Sequence, residues 1–192
     1  AGAVQPGDED DYFQSSLFTI ARRRILWLLI LVLANGLTTK VIAMNDQILK
    51  EIVLLAAFIP LLIGTGGNVG AQSSTVVIRG LSTQKLKSLG AIKAVVKEAI
   101  TGALLGVFMM LVVFPFAWWQ GEGPLIASAV GISLISITTL AATTGAILPL
   151  LFDRMKLDPA LMSSPFITTV TDIAGVFIYL STAKWLLSSS LV

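Results

Sequence analysis

From Ile25 onward the chain is a succession of apolar stretches, each long enough to cross a bilayer and almost free of charge. Hydrocarbon offers the backbone no hydrogen-bond partner, so only helices or closed barrels can span it. A helix needs about 20 residues to cross roughly 30 Å. Five stretches meet that length: residues 25–44, 48–78, 94–119, 124–152 and 160–187. The second and fourth have residues to spare, which leaves room for tilt or a break. Only 12% of the 192 residues are charged and 55% are hydrophobic, against about 25% charged in a soluble domain. The expected fold is an all-α integral membrane protein with five transmembrane helices per subunit, packed as a helical bundle.

Charge distribution sets the expected orientation. Arg22, Arg23, Arg24, Arg79, Lys85, Lys87, Lys93, Lys97, Arg154 and Lys156 lie on one side of the five spans, and only Lys40, Lys50 and Lys184 on the other. Basic residues favour the cytoplasmic side. The N-terminus is therefore expected in the cytoplasm, the C-terminus outside, and the protein in the cell membrane. Trp27, Trp118, Trp119 and Trp185 fall near span ends, where amphipathic rings favour the headgroup layer. Residues 1–24 read as a leader, with the acidic cluster Asp8, Glu9, Asp10 and Asp11 and an amphipathic interfacial helix over residues 14–24. Acidic and polar residues precede the first apolar stretch, so it is not the core of a secretory signal. Residues 25–192 form the membrane domain.

Several function classes fall away early. There is no Cys and no His, which removes thiol nucleophiles, imidazole relays and the usual zinc sites. A net charge of +2, with no basic-aromatic patch, gives no ground for nucleic-acid binding. An intramembrane enzyme would need an aspartyl pair or a Ser–Lys dyad, and neither is found at a plausible depth; the chain is not expected to be an enzyme.

Residues 64–75 read Gly-Thr-Gly-Gly-Asn-Val-Gly-Ala-Gln-Ser-Ser-Thr. Each glycine costs about 1 kcal/mol relative to alanine in a helix, and such a stretch makes a poor lipid-facing surface. It can line a cavity or let helices approach closely; close packing alone leaves Asn68 and Gln72 unexplained. Gly102-xxx-Gly106 in the third span and Ala141-xxx-Gly145 in the fourth favour packing, with neighbouring Ser and Thr hydroxyls bonding back to their own helix.

The last span carries the sharpest signal. Ser164, Thr168, Asp172, Gly175 and Tyr179 recur at spacings of three and four, which sets them on one helical face. Asp172 lies near mid-span, where a charged carboxylate costs about 2.5–3.5 kcal/mol even on the permissive scale. No Lys or Arg lies within a helical turn of it. An ion or proton path, or a buried pair with another span, would explain it. Carboxylate, hydroxyl and carbonyl oxygens suit Mg2+, Ca2+ or Mn2+. Mg2+ sheds its waters reluctantly, so few carboxylates can serve a hydrated ion. One Asp is little charge for a divalent cation. A two-fold axis beside the last span would bring two, and two-fold dimers are the commonest closed oligomer.

The stretch Ile63-Gly-Thr-Gly-Gly-Asn-Val-Gly-Ala-Gln-Ser-Ser-Thr-Val-Val-Ile-Arg-Gly-Leu81 resembles the signature of the MgtE magnesium channel family. So do Asp158-Pro159, Pro165-Phe-Ile-Thr-Thr-Val-Thr-Asp-Ile-Ala-Gly175 and the Arg22-Arg-Arg-Ile-Leu-Trp27 entry into the first span. The resemblance runs from about residue 12 to near the C-terminus. It implies a homodimer in the lipid bilayer, with a central pore lined by the second and fifth spans. Asp172 matches the pore aspartate that contacts hydrated Mg2+, and Thr168 and Ser164 match pore-lining positions one and two turns earlier. Gly64, Gly67, Asn68 and Thr75 fall in the matching stretch of the second span.

Two departures stand out. Ala71 occupies a position where many relatives carry a polar residue. The family's cytoplasmic part, an N-terminal helical domain with paired CBS domains, has no counterpart in these 192 residues, and only a remnant of the connecting plug helix is expected, within residues 8–24. The resemblance therefore carries no expectation of gating by cytoplasmic Mg2+ here. The expected function is a pore conducting hydrated Mg2+ down its electrochemical gradient, with Mn2+, Co2+ or Ca2+ as further candidate ions. The alternatives are a secondary transporter coupling divalent cations to H+ or Na+, and a structural membrane scaffold.

Overall fold

The computed structural model describes residues 16–83, 86 and 90–189. The acidic cluster at residues 8–11 and the lysines at 85 and 87 lie outside them. The described residues form, in order, the α-helices α1 (Leu17–Ala43), α2 (Asp46–Glu51), α3 (Val53–Ser82), α4 (Ala91–Ala117), α5 (Gly123–Arg154) and α6 (Pro159–Ser189). A π-helical turn, Trp118–Glu122, joins α4 to α5. The described residues contain no strand.

Among the described residues, four helical segments are long and apolar enough to cross a membrane: Val53–Ser82, Ala91–Gln120, Gly123–Arg154 and Pro165–Ser188. The first expected span is a shorter apolar helix, Leu28–Ala43, at the end of a helix that starts before the arginines. The second expected span is split at its start. Ile52 takes an extended conformation (φ −130°, ψ 85°) between α2 and α3. Residues of α2 satisfy one another at the surface, with Gln47 Nε2 donating to Glu51 Oε1 at 3.1 Å and Lys50 paired with Asp46.

Local chemistry marks the other boundaries. Gly90 (φ 83°) and Gly123 (φ 80°) turn the chain into α4 and α5 in a conformation that suits glycine. Asp158 Oδ1 accepts the Ala160 amide at 2.8 Å, and Pro159 opens α6. This is the capping acid followed by proline that starts many helices. The Phe152 and Phe166 rings, 5.6 Å apart, hold the end of α5 against the beginning of α6.

Helix α5 is the centre of the bundle, packed by α3, α4 and α6, and α1 lies against α6. Glycine decides how close the helices come. A Cβ on Gly102 would stand 2.6 Å from both the Thr138 carbonyl oxygen and the Ala142 Cβ, and one on Gly106 would run into Ile135 and Thr138. On the other flank, the carbonyl oxygen of Gly70 fills the space a side chain on Gly145 would need. Between helices in lipid the hydrophobic drive is weak, and close packing of small residues takes its place. The GxxxG and Ala-xxx-Gly spacings thus do serve packing. Hydroxyls follow the same economy: Ser136, Thr138, Thr139 and Thr143 each donate to a carbonyl one turn back.

Candidate functional site

The candidate site is the surface formed side by side by α3 and α6. Residues 64–75 are helical throughout, so the glycine-rich stretch is neither unwound nor broken, and its carbonyls stay within the helical ladder. Its two faces do different things. Gly66 and Gly70 are buried, and a Cβ on Gly66 would stand 2.8 Å from Ile137 Cγ2. Gly64, Asn68, Ala71, Gln72 and Thr75 are exposed, and their spacing of three and four sets them on one face. Around Gly64 nothing lies within 4 Å of an added Cβ. Packing explains Gly66 and Gly70, and it leaves Gly64, Asn68 and Gln72 without a role inside the subunit.

Helix α6 supplies the other half. Thr168 is half-buried, and its Cγ2 is 3.9 Å from where a Gly67 Cβ would be. Its hydroxyl donates to the Pro165 carbonyl at 3.0 Å. Asp172 follows one turn later, also half-buried. Ser164 lies within α6, but its side chain is outside the described residues. Thr75 sits about 10 Å further along α3 from Asn68, and its hydroxyl donates to the Ala71 carbonyl at 2.8 Å.

The helical face that carries Asp172 also carries Gly175 and Tyr179, yet the three differ in surroundings. Tyr179 is fully buried and its hydroxyl donates to the Leu55 carbonyl across the α3–α6 contact at 3.1 Å. Gly175 is buried, with Ile137 side-chain atoms 3.7 Å from an added Cβ. So α3 and α6 pack together both at Tyr179 and at Ile167, Thr168 and Thr171, where Gly66, Gly67 and Gly70 let them approach. Along the face, burial gives way to partial exposure between Gly175 and Asp172. Spacing alone does not reveal Tyr179 as a brace. The usable signal is chemical, since Tyr in an apolar span buries its ring while its hydroxyl needs an acceptor.

Among the described residues, Asp172, Asn68 and Gln72 make no side-chain hydrogen bond or ion pair. Glu98 of α4 is half-buried and likewise has no ion pair among them. No three Asp, Glu, His or Cys side chains cluster among the described residues to chelate a bare metal ion. A single carboxylate beside amides and hydroxyls can instead accept hydrogen bonds from, and attract, a cation that keeps its water shell.

Four long apolar helices among the described residues, with Asp172, Asn68 and Gln72 unpaired near the middle of two of them, mark a membrane protein of several spans. The MgtE family model, described as divalent cation transporter, matches residues 59–182. The chain belongs to the MgtE family. It is similar to the magnesium transporter MgtE of Thermus thermophilus, 39% identical over 166 residues, which cover 86% of this chain and 37% of that protein. The magnesium transporter MgtE of Bacillus subtilis is 33% identical over 176 residues, 91% of this chain and 39% of its own length. That of Enterococcus faecalis is 34% identical over 168 residues, 85% and 36%. The chain thus spans under two fifths of the length of these relatives.

Proposed function

We propose that this chain forms the membrane part of a Mg2+ pathway, with the exposed polar faces of α3 and α6 as its lining and Asp172 as the carboxylate that meets a hydrated ion. One observation carries this reading: Asp172, Asn68 and Gln72 lie at mid-helix in membrane-crossing segments, exposed or half-exposed, with no partner among the described residues. Lipid cannot satisfy them. Water, an ion or a second subunit can. The names of the similar proteins make Mg2+ the ion of choice.

The pathway takes two subunits related by a two-fold axis, so that two such faces meet across it and two Asp172 carboxylates share one divalent cation. Each subunit contributes five spans, with α1 as the fifth. From Ile25 to Ala43 it is about 28 Å long, close to the thickness of a hydrocarbon core of about 30 Å. The N-terminus is cytoplasmic, in keeping with the basic residues on that side. Movement is passive, driven by the membrane potential acting on a divalent charge.

Mg2+ uptake into proteoliposomes tests the reading. Asp172→Asn is expected to lower uptake at least about tenfold, the factor that about 1.4 kcal/mol of lost ion stabilisation gives. Equal uptake by the two proteins overturns the role of Asp172. Uptake that requires an imposed H+ or Na+ gradient overturns passive conduction in favour of coupled transport, and full uptake by a verified monomer overturns the two-fold pore.

A further inference from the structure

On the outer flank of α4, away from the polar faces of α3 and α6, Ile92, Lys93, Val96, Lys97, Ile100 and Thr101 line a shallow groove of about 490 Å3. Two parallel rows make it. Lys93, Lys97 and Thr101 recur every four residues, and so do Ile92, Val96 and Ile100, which places each row along one helical ridge. Both lysines are exposed and neither is in an ion pair among the described residues. Thr101 closes the polar row, because its hydroxyl donates to the Lys97 carbonyl at 2.8 Å. Beyond it the ridge is purely apolar: Leu104 and Phe108 are 66% and 64% exposed.

We propose that this groove binds an anionic phospholipid, its phosphate between Lys93 and Lys97 and an acyl chain along Ile100, Leu104 and Phe108. The dimensions agree. From Lys97 to Phe108 the helix rises about 16 Å, close to the half-thickness of a hydrocarbon core of about 30 Å. The opposite face of α4 is committed to α5 through Gly102 and Gly106, so the groove faces outward from the bundle, where lipid is. Two unpaired cations at the end of an apolar ridge complement a headgroup of net negative charge. A free phosphate would be met by the lysines but would leave the apolar row unused. The inference stands apart from the ion pathway and can fail without it.

Native mass spectrometry of the full chain in detergent, titrated with phosphatidylglycerol or phosphatidylcholine, reads this directly. Phosphatidylglycerol is expected to be retained in preference to phosphatidylcholine. Each lysine contributes about a fivefold factor near an anionic headgroup, so Lys93→Gln/Lys97→Gln should abolish the preference while Lys93→Arg/Lys97→Arg keeps it. Lys40→Gln/Lys184→Gln removes the same net charge elsewhere and should leave it intact. Unchanged preference in the Gln pair, an equal loss in the Lys40/Lys184 control, or displacement of the lipid by inorganic phosphate overturns the proposal. If the Gln pair does not elute as a single species, Lys93→Gln and Lys97→Gln are read singly, and unchanged retention in both overturns it equally.

Discussion

Gly70 and Gly145 bring the backbones of α3 and α5 into direct contact, the carbonyl oxygen of one filling the place of a side chain on the other. A methyl at residue 145 therefore has to push backbone, not a flexible side chain. Gly145→Ala is expected to destabilise the subunit by about 1–3 kcal/mol, as overpacking does in well-filled cores. Thermal unfolding of the detergent-solubilised protein measures it, and an unchanged midpoint would show that the two helices are free to separate.

Gly64→Ala should do the opposite. Nothing lies within 4 Å of the added methyl, and alanine favours the helix by up to about 1 kcal/mol. The variant is expected to be at least as stable as the parent while conducting less Mg2+, since the methyl projects into the proposed pathway. Loss of stability together with flux would place Gly64 in a packed contact instead.

Asn68 and Gln72 make the same distinction on polar side chains. Neither has a partner within the described residues, so Asn68→Leu and Gln72→Leu remove no hydrogen bond from the subunit. Their unfolding midpoints should hold or rise, and their Mg2+ uptake should fall. A marked drop in midpoint for either would reveal a structural bond in place of a lining role.

The chain has no cysteine, which gives a clean background for thiol labelling. Asn68→Cys on the polar face of α3 is expected to react with a membrane-impermeant maleimide in proteoliposomes, and Leu104→Cys on the outer ridge of α4 is expected to resist it. Labelling of both, or of the position on α4 alone, contradicts the assignment of water to the polar face of α3 and lipid to the ridge of α4.

Tyr179→Phe removes one buried hydrogen bond. Such bonds between membrane helices average about 0.6 kcal/mol and reach about 1.7, so the midpoint should fall only slightly. Tyr179→Ala also empties a fully buried site and should cost several times as much, about 3–5 kcal/mol if it behaves like other large aromatic truncations. Equal losses in the two variants would assign the whole effect to the hydroxyl.

Much of the fold is legible in the residues alone, and for definable reasons. Helices starting at Gly123 and Pro159 follow from a turn glycine, a capping Asp158 and a proline, all of them local signals. GxxxG spacing identifies the packed faces of α4 and α5 because close approach in lipid demands small residues. Periodicity places Thr168 and Asp172 on one face of α6, but it gives Tyr179 the same face and cannot say that Tyr179 is buried while Asp172 stays half-exposed. That difference depends on which neighbours cover each end of the helix, which is a tertiary property. The glycine-rich segment misleads in a similar way. Its composition favours a break, whereas the contacts of Gly66 and Gly70 with neighbouring helices keep it helical. The short surface helix α2 merges with the second span in the sequence, because its apolar Ile48, Leu49 and Ile52 continue the pattern across the break.

The brace between Tyr179 and Leu55 is one of two anchor points on the same helix pair. On the far side of Asp172, a Cβ on Gly67 would stand 3.9 Å from Thr168 Cγ2 and one on Gly70 2.5 Å from Ile167 Cγ2. A helix held on both sides of its carboxylate cannot hinge there on its own. In the proposed dimer, the gap between two Asp172 side chains is therefore set by how whole subunits slide or rotate across the two-fold axis.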